Sequence, residues 1–133
     1  MVRVIHTLTK EEIMTKAITV IAAASLLVAT SAWAGMEKEA QPLKAGTGSK
    51  AESHLNEGIE HFGMGHWDLA KKHFAAGEQA DPQSAEAHYD LALVLDKNGD
   101  HAGATAHFQN AHDLGKSNTA IYHSEILKKH LKM

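Results

Sequence analysis

An internal repeat constrains the fold of this chain more than any other feature of its sequence. The shift that places Ala51 on Ala85 also aligns, without a gap, Glu52 with Glu86, His54 with His88, Gly65 with Gly99, Ala70 with Ala104, His73 with His107 and Phe74 with Phe108. The shift is 34 residues. Self-similarity at a fixed period of this size is typical of stacked structural units. The sequence therefore predicts two copies of one unit, residues 51–84 and 85–118.

Each copy is predicted to be a pair of helices joined by a turn that contains glycine. Ser49 and Glu52 have the spacing of a capping box, and the apolar residues that follow predict a helix over about 51–64. A second apolar face runs over residues 67–80 and ends before Pro82, because proline disfavours helix in the residue that precedes it.

The small and aromatic residues of both copies resemble the tetratricopeptide repeat, in which two helices form each unit of about 34 residues. The resemblance is carried by Gly58, Gly65, Ala70, Phe74 and Pro82 in the first copy, and by Leu91, Ala92, Gly99, Ala104, Phe108 and Ala111 in the second. It departs from the family pattern at Glu57, Gly77 and Lys116. The resemblance implies an all-α fold in which antiparallel helix pairs stack as a short right-handed solenoid.

Residues 119–133 are predicted to form one closing helix. Asn118 is a suitable N-cap, and apolar residues then recur at helical spacing at Ile121, Tyr122, Ile126, Leu127 and Leu131. Repeat arrays use such a helix to cover their last apolar face. About three repeats are normally needed for stability, so two copies and a closing helix favour partner binding or self-association.

Residues 1–34 have the pattern of a cleavable export signal. A short cationic stretch begins at Met14, an apolar run covers residues 17–34, and a small-x-small pattern ends at Ala34 before Gly35. The acidic residues upstream favour Met14 as the true translation start. Since the apolar run is shorter than the roughly 20 residues of a membrane span, we expect cleavage between Ala34 and Gly35. The mature chain is then expected in the periplasm of a bacterium, without membrane attachment.

Residues 35–50 mix charged residues with glycine, proline and serine and show no apolar period. This composition is typical of mobile linkers and termini. We therefore predict a flexible arm before the first copy.

Charge and cysteine content exclude several classes of function. The chain has 13 Lys and Arg against 16 Asp and Glu, a net charge of -3 with neutral histidine, so it lacks the basic field that holds nucleic acid. It has no cysteine, which removes disulfides, thiolate zinc sites and thiol catalysis. It also lacks a nucleophile elbow, an H-E-x-x-H motif and a phosphate-binding loop, so we expect no enzymatic activity.

The chain contains 11 histidines, and the first question is whether they bind metal. After residue 50, no two of them are three or four residues apart, the spacing with which one helix chelates an ion. Histidines seven residues apart are separated by about 10.5 Å along a helix. In addition, His54, His61 and His88 stand where the repeat family has aromatic residues, so packing is the favoured interpretation.

A weaker resemblance keeps a metal-binding alternative open. Residues 54–61 and 65–74 are similar to small histidine-rich periplasmic metal-binding proteins, whose helices repeat histidine at about seven residues. The resemblance implies a site between helices from His61, His66 and His73, with Glu57 or Asp68 nearby. Neutral imidazoles suit Cu(II), Ni(II) or Zn(II). The favoured interpretation requires no cofactor.

The favoured function is that of an exported protein-interaction module. In the repeat family, the first helices of successive units line a concave groove that binds a peptide or a helix of a partner. The resemblance carries this role to Glu52, Leu55, Ile59 and Phe62 in the first copy, to Glu86, Tyr89, Leu93, Asp96 and Lys97 in the second, and to His123, Leu127 and His130 in the closing helix. The alternative for the same residues is a solvated face that binds nothing.

Overall fold

Helices account for all regular secondary structure in residues 39–133, the part of the chain that this computed structural model describes. They are α1 (Glu52–Gly63), α2 (Trp67–Ala80), α3 (Ala85–Lys97), α4 (His101–Leu114), α5 (Thr119–Tyr122) and α6 (Glu125–Leu131). The all-α fold built from helix pairs is thus confirmed. None of these helices is both long and apolar enough to cross a membrane. The predicted export signal and its cleavage position lie outside the described residues.

The two helix pairs, α1 with α2 and α3 with α4, are joined by turns of the same backbone shape. Gly65 has a φ of 75° and Gly99 a φ of 83°, in the left-handed region that glycine enters without a steric penalty. The second pair begins at Ser84, whose side chain accepts a hydrogen bond from the N–H of Ala87 and caps α3. Because the two glycines are equivalent positions of the two copies, the sequence repeat is also a structural repeat.

In the first copy, glycines allow α1 and α2 to approach each other closely. A Cβ atom at Gly58 would overlap the ring of Phe74, and one at Gly77 would overlap the side chain of Leu55. Phe74, Leu55 and the intervening Ala70 are fully buried. Gly77 therefore departs from the family's alanine because Leu55 occupies the space that a methyl group would need.

Helix α3 lies at the centre of the molecule, since every residue over 87–95 is buried. Its Ala92 faces a core that includes Ala104 and Phe108 of α4, all without exposed surface. The ring of Tyr89 meets that of Phe108 edge to face, with 5.7 Å between the ring centroids. The second copy thus repeats the arrangement of small and aromatic residues found in the first.

The closing segment forms two short helices, α5 and α6, rather than the single helix predicted over residues 119–133. Asn118 caps α5 as predicted, by accepting a hydrogen bond from the backbone N–H two residues later. Ser124 caps α6 through the N–H of Leu127, and its hydroxyl group lies 2.9 Å from the hydroxyl group of Tyr89. Because Ser124 caps α6 and contacts Tyr89 of the core, a new helix begins here and the predicted single helix is divided.

Several residues over 40–50 contact the helices, although residues 35–50 were predicted to form a flexible arm, and residues 35–38 lie outside the described residues. Residues 40–46 form neither helix nor strand. Ala40, Leu43 and Ala45 are nonetheless half-buried and pack against the core. The sequence does not predict these contacts, because the apolar residues of this segment are isolated and follow no helical or strand period.

Candidate functional site

The carboxylate of Asp90 on α3 holds residues 40–46, named here the arm segment, against the helices. The backbone N–H of Leu43 donates to Oδ1 of Asp90 over 2.6 Å. Asp90 is fully buried, and among the described residues its Oδ2 has no hydrogen-bond partner. Asp90 lies four residues after Glu86 and three before Leu93, on the face of α3 that was predicted to line the groove. The arm segment therefore contacts the predicted partner-binding face.

Burial raises the pKa of Asp90 well above the ordinary value for aspartic acid. Loss of hydration is the largest cause, because it disfavours the charged form of the carboxyl group. The negative charge of Glu86 raises the pKa further, whereas the hydrogen bond from the N–H of Leu43 lowers it. An aspartate at this position is therefore costly unless a hydrogen-bond donor meets it.

Two further hydrogen bonds hold the residues that connect the arm segment to α1. The N–H of Gly48 donates to Oε2 of Glu52 over 3.0 Å, and the hydroxyl group of Ser49 donates to Oδ2 of Asp81 over 2.9 Å. The predicted capping box is therefore not formed as expected, since Glu52 reaches the N–H one residue before Ser49. Both bonds instead anchor the start of the first copy.

Most apolar residues that were predicted to line the groove belong to the core. The following have at most 5% exposed surface: Leu55, Phe62, Tyr89, Leu93 and Leu127. Leu55 packs over Gly77 of α2, and Tyr89 packs on Phe108 of α4. These side chains cannot form the open floor of a groove, which corrects this part of the prediction. The reason is that the helix stripe that carries them also packs against neighbouring helices.

Other predicted groove residues make contacts within the chain. The side-chain amide of Asn118 donates to Glu86 over 2.8 Å, and the ammonium group of Lys97 lies 5.7 Å from the centre of the Trp67 ring. Ile59 is half-buried against the core. A role in partner binding stays a prediction for Glu52, Ile59, Glu86, Asp96, Lys97, His123 and His130.

Asp96 and His130 of the predicted groove meet in a polar cluster. Oδ1 of Asp96 lies 3.0 Å from Nε2 of His130 and 2.7 Å from Nδ1 of His101. Nδ1 of His130 lies 2.9 Å from the hydroxyl group of Thr105. One carboxylate oxygen thus serves two imidazoles, and the cluster connects α6 to α3 and α4. His123, by contrast, lies between α5 and α6, with its ring against that of Tyr122.

The three histidines of the metal-binding alternative lie together near the turn between α1 and α2. The ring of His61 stacks on that of His73 with 5.2 Å between centroids, and its centroid is 5.8 Å from that of His66. Nδ1 of His73 lies 3.0 Å from Oε2 of Glu57. Nδ1 of His61 is buried and has no hydrogen-bond partner among the described residues. The structure brings these residues together, and metal binding by them stays a prediction.

Asp90 is the residue of the arm contact that the sequence analysis missed. The available signal was an aspartate inside the apolar run YDLALVL, residues 89–95. A carboxylate in such surroundings requires a partner. That partner is a backbone N–H group 47 residues away, in a segment without an apolar period, so the sequence could not identify it.

Comparison with known proteins identifies the repeat region. A family model described as the tetratricopeptide repeat matches residues 55–118, which include most of α1 and all of α2, α3 and α4. A search of curated proteins gave no match. Tetratricopeptide repeats generally mediate contacts between proteins. The matched range agrees with the period of the internal repeat and with the observed helix pairs, and residues 55–118 therefore belong to the tetratricopeptide repeat family.

Proposed function

We propose that the protein is an exported interaction module that binds a segment of a partner protein on the face of α3 that carries Asp90. One observation supports this proposal above all others. The arm segment of the chain itself lies on this face, where the N–H of Leu43 donates to Asp90 over 2.6 Å. The family match adds support, because repeats of this family are protein-interaction modules. A bound partner segment would take the place of the arm segment.

The arm segment indicates the chemistry of the partner. In AQPLKA, residues 40–45, Ala40, Leu43 and Ala45 are half-buried, whereas Gln41 and Lys44 are exposed. A matching partner segment is irregular or extended and carries an aliphatic residue between small ones. Its aliphatic residue must also keep a free backbone N–H to meet Asp90, which excludes proline there.

The export part of the proposal rests on the N-terminal pattern. A cationic stretch, an apolar run and the small-x-small motif that ends at Ala34 together make a cleavable signal. The partner is then an envelope protein that shares the periplasm with the mature chain.

A peptide-exchange experiment tests the binding face. A site-specific protease sequence is inserted between Thr47 and Gly48, in an exposed turn, and the mature protein is cleaved there. A fluorescent peptide of residues 35–47 is then added, and its fluorescence polarisation is followed. We expect saturable binding as the peptide exchanges with the cleaved segment.

Two peptide variants provide the matched control. Leu43→Ala removes a half-buried side chain, so we expect binding about fivefold weaker, or about 1 kcal/mol. Lys44→Ala changes an exposed neighbour and should bind like the parent peptide. Absence of exchange, or equal weakening by both variants, would contradict the proposal.

A further inference from the structure

Three side chains from three helices converge at the junction between the two repeats. They are Glu78 of α2, His88 of α3 and His107 of α4. The Nδ1 atoms of His88 and His107 are 3.2 Å apart. Oε1 of Glu78 lies 3.6 Å from Nδ1 of His88 and 3.9 Å from Nδ1 of His107. Three potential ligand atoms thus surround one point.

The hydrogen bond of Nε2 determines the tautomer of the His88 ring. Its Nε2 lies 3.0 Å from the carbonyl oxygen of Pro82. A carbonyl group only accepts hydrogen bonds, so Nε2 carries the hydrogen and the neutral ring directs the lone pair of Nδ1 toward Glu78 and His107. A backbone carbonyl behind a histidine is a common arrangement at metal sites, where it orients the ligand.

The cluster has more hydrogen-bond acceptors than donors. Nδ1 of His107 can supply one hydrogen to Nδ1 of His88, whereas Oε1 of Glu78 lies beyond ordinary hydrogen-bond distance from both rings.

The spacing of the three atoms fits the coordination sphere of a transition-metal ion. With bonds of about 2.1 Å, ligands in a tetrahedral site lie about 3.4 Å apart. The three separations of 3.2, 3.6 and 3.9 Å lie near this value. Two imidazoles, one carboxylate and a water molecule are a ligand set that Zn(II) takes. Glu78 and His107 are partly exposed, so an ion can enter from solvent.

The other histidine clusters fit less well. In the group of Asp96, His101 and His130, Oδ1 of Asp96 is hydrogen-bonded to both rings at 2.7 and 3.0 Å, which is shorter than every separation in the Glu78 cluster, and the side chain of His101 is 72% exposed. The histidines near the α1–α2 turn do not bring three ligand atoms within 4.8 Å of one another, unlike the two groups above.

The junction between the second copy and α5 has a histidine, not a carboxylate, at the position that corresponds to Glu78. One repeat later, His112 and Tyr122 occupy the positions that correspond to Glu78 and His88, and their rings stack with 5.7 Å between centroids. The same pair of positions thus packs ring on ring between the second copy and α5. At the junction between the two copies, Glu78 instead brings a carboxylate near two imidazoles.

We infer that Glu78, His88 and His107 bind a divalent transition-metal ion of the Zn(II) class, which connects the first repeat to the second. This site is separate from the face that carries Asp90, and the inference does not depend on the proposed function. An ion bound only by the folded chain stabilises it by mass action.

The test measures Zn(II) binding to the mature protein by calorimetry and by the rise in melting temperature. Co(II) serves as a second probe, because its visible absorption reports coordination geometry. We expect Glu78→Gln to weaken Zn(II) binding by about 10- to 100-fold or more, the range known for loss of supporting partners at metal sites. The metal-free melting temperature of this variant should remain close to that of the parent, since the change preserves shape at a partly exposed position.

Glu57→Gln is the matched control, since it removes a glutamate that pairs with His73 in the first copy. It should leave Zn(II) affinity unchanged. His107→Gln provides a second variant and should also weaken binding. The inference is overturned if the parent chain does not bind Zn(II), or if Glu78→Gln and His107→Gln bind it normally. It is equally overturned if binding is lost only when His61, His66 and His73 are replaced together by alanine.

Discussion

Buried polar side chains determine how the parts of this molecule are joined. Asp90 binds the arm segment through Leu43, His88 meets the carbonyl group of Pro82, and Ser124 meets the hydroxyl group of Tyr89. A buried polar group is costly without a partner, so each of these contacts specifies one arrangement. Apolar residues fill the core, whereas these few polar ones select which segments cover it.

The raised pKa of Asp90 predicts how stability depends on pH. The folded chain holds the proton of Asp90 more tightly than the unfolded chain, because burial disfavours the carboxylate. The stability from protonated Asp90 is therefore complete below the unfolded pKa, about 3.9, and is lost as pH rises through the folded pKa. Asparagine does not titrate, so Asp90→Asn should become more stable relative to the parent as pH rises above about 4, the unfolded pKa of aspartic acid. Urea unfolding at several pH values measures this difference.

Asp113→Asn is the control for this prediction. Asp113 is exposed, and a hydrogen bond from Gln109 lowers the pKa of its carboxyl group, which is the opposite direction. Its replacement should not increase relative stability as pH rises. A difference between Asp90→Asn and the parent that is constant, or that falls with pH, would show that Asp90 is not held as a costly carboxylate.

At the scale of elements, the two helix pairs have the same arrangement, but they differ in the small residues at which their helices meet. Gly58 and Gly77 of the first copy correspond to Ala92 and Ala111 of the second. The glycines accept the ring of Phe74 and the side chain of Leu55, with no room for a methyl group. The first copy therefore depends on helix approach through glycine, whereas the second has alanine at both positions.

The repeat predicts that the two phenylalanines contribute equally to stability. Phe74 and Phe108 occupy equivalent positions of the two copies, and both are fully buried. Phe74→Ala and Phe108→Ala should each lower the free energy of unfolding by about 3 to 5 kcal/mol, through lost burial and the cavity that remains. Such a loss is a large part of the total stability of a small domain, about 5 to 15 kcal/mol. Thermal unfolding followed by circular dichroism checks this, and a shift of a degree or two for either variant would contradict the shared core role.

The sequence correctly predicted the elements that are determined by residues close to one another in the chain. The turns at Gly65 and Gly99 and the cap at Asn118 depend on nearby residues, and all were located correctly. The break before α6 was missed because Ser124 is bound by Tyr89, 35 residues earlier. The arm contact was missed for the same reason, and the buried groove residues were misplaced because packing between helices, rather than helical period, decides which stripe remains open.

At the scale of the whole molecule, residues outside the two copies supply burial that further repeats would otherwise provide. About three repeats are normally needed for a stable array, and the described residues 39–133 contain two. Ile121 of α5 and Leu127 of α6 are fully buried at one end. The arm segment adds Leu43 and the half-buried alanines on either side of it. A partner that displaces the arm segment must replace this burial, which favours partners with a similar aliphatic segment.

Export predicts the N-terminus of the mature protein. When the chain is expressed from Met14 in a Gram-negative bacterium, mass spectrometry of the periplasmic fraction should find a chain that begins at Gly35, because small residues at Ala32 and Ala34 are what the cleavage pattern requires. Ala34→Leu replaces a small residue beside the cleavage position and should leave the signal attached, whereas Thr30→Val, farther from it, should not. Recovery of the parent chain intact in the membrane fraction would contradict both cleavage and periplasmic location. It would also leave the arm segment joined to a membrane-bound region, where exchange with a periplasmic partner would have to occur at the membrane surface.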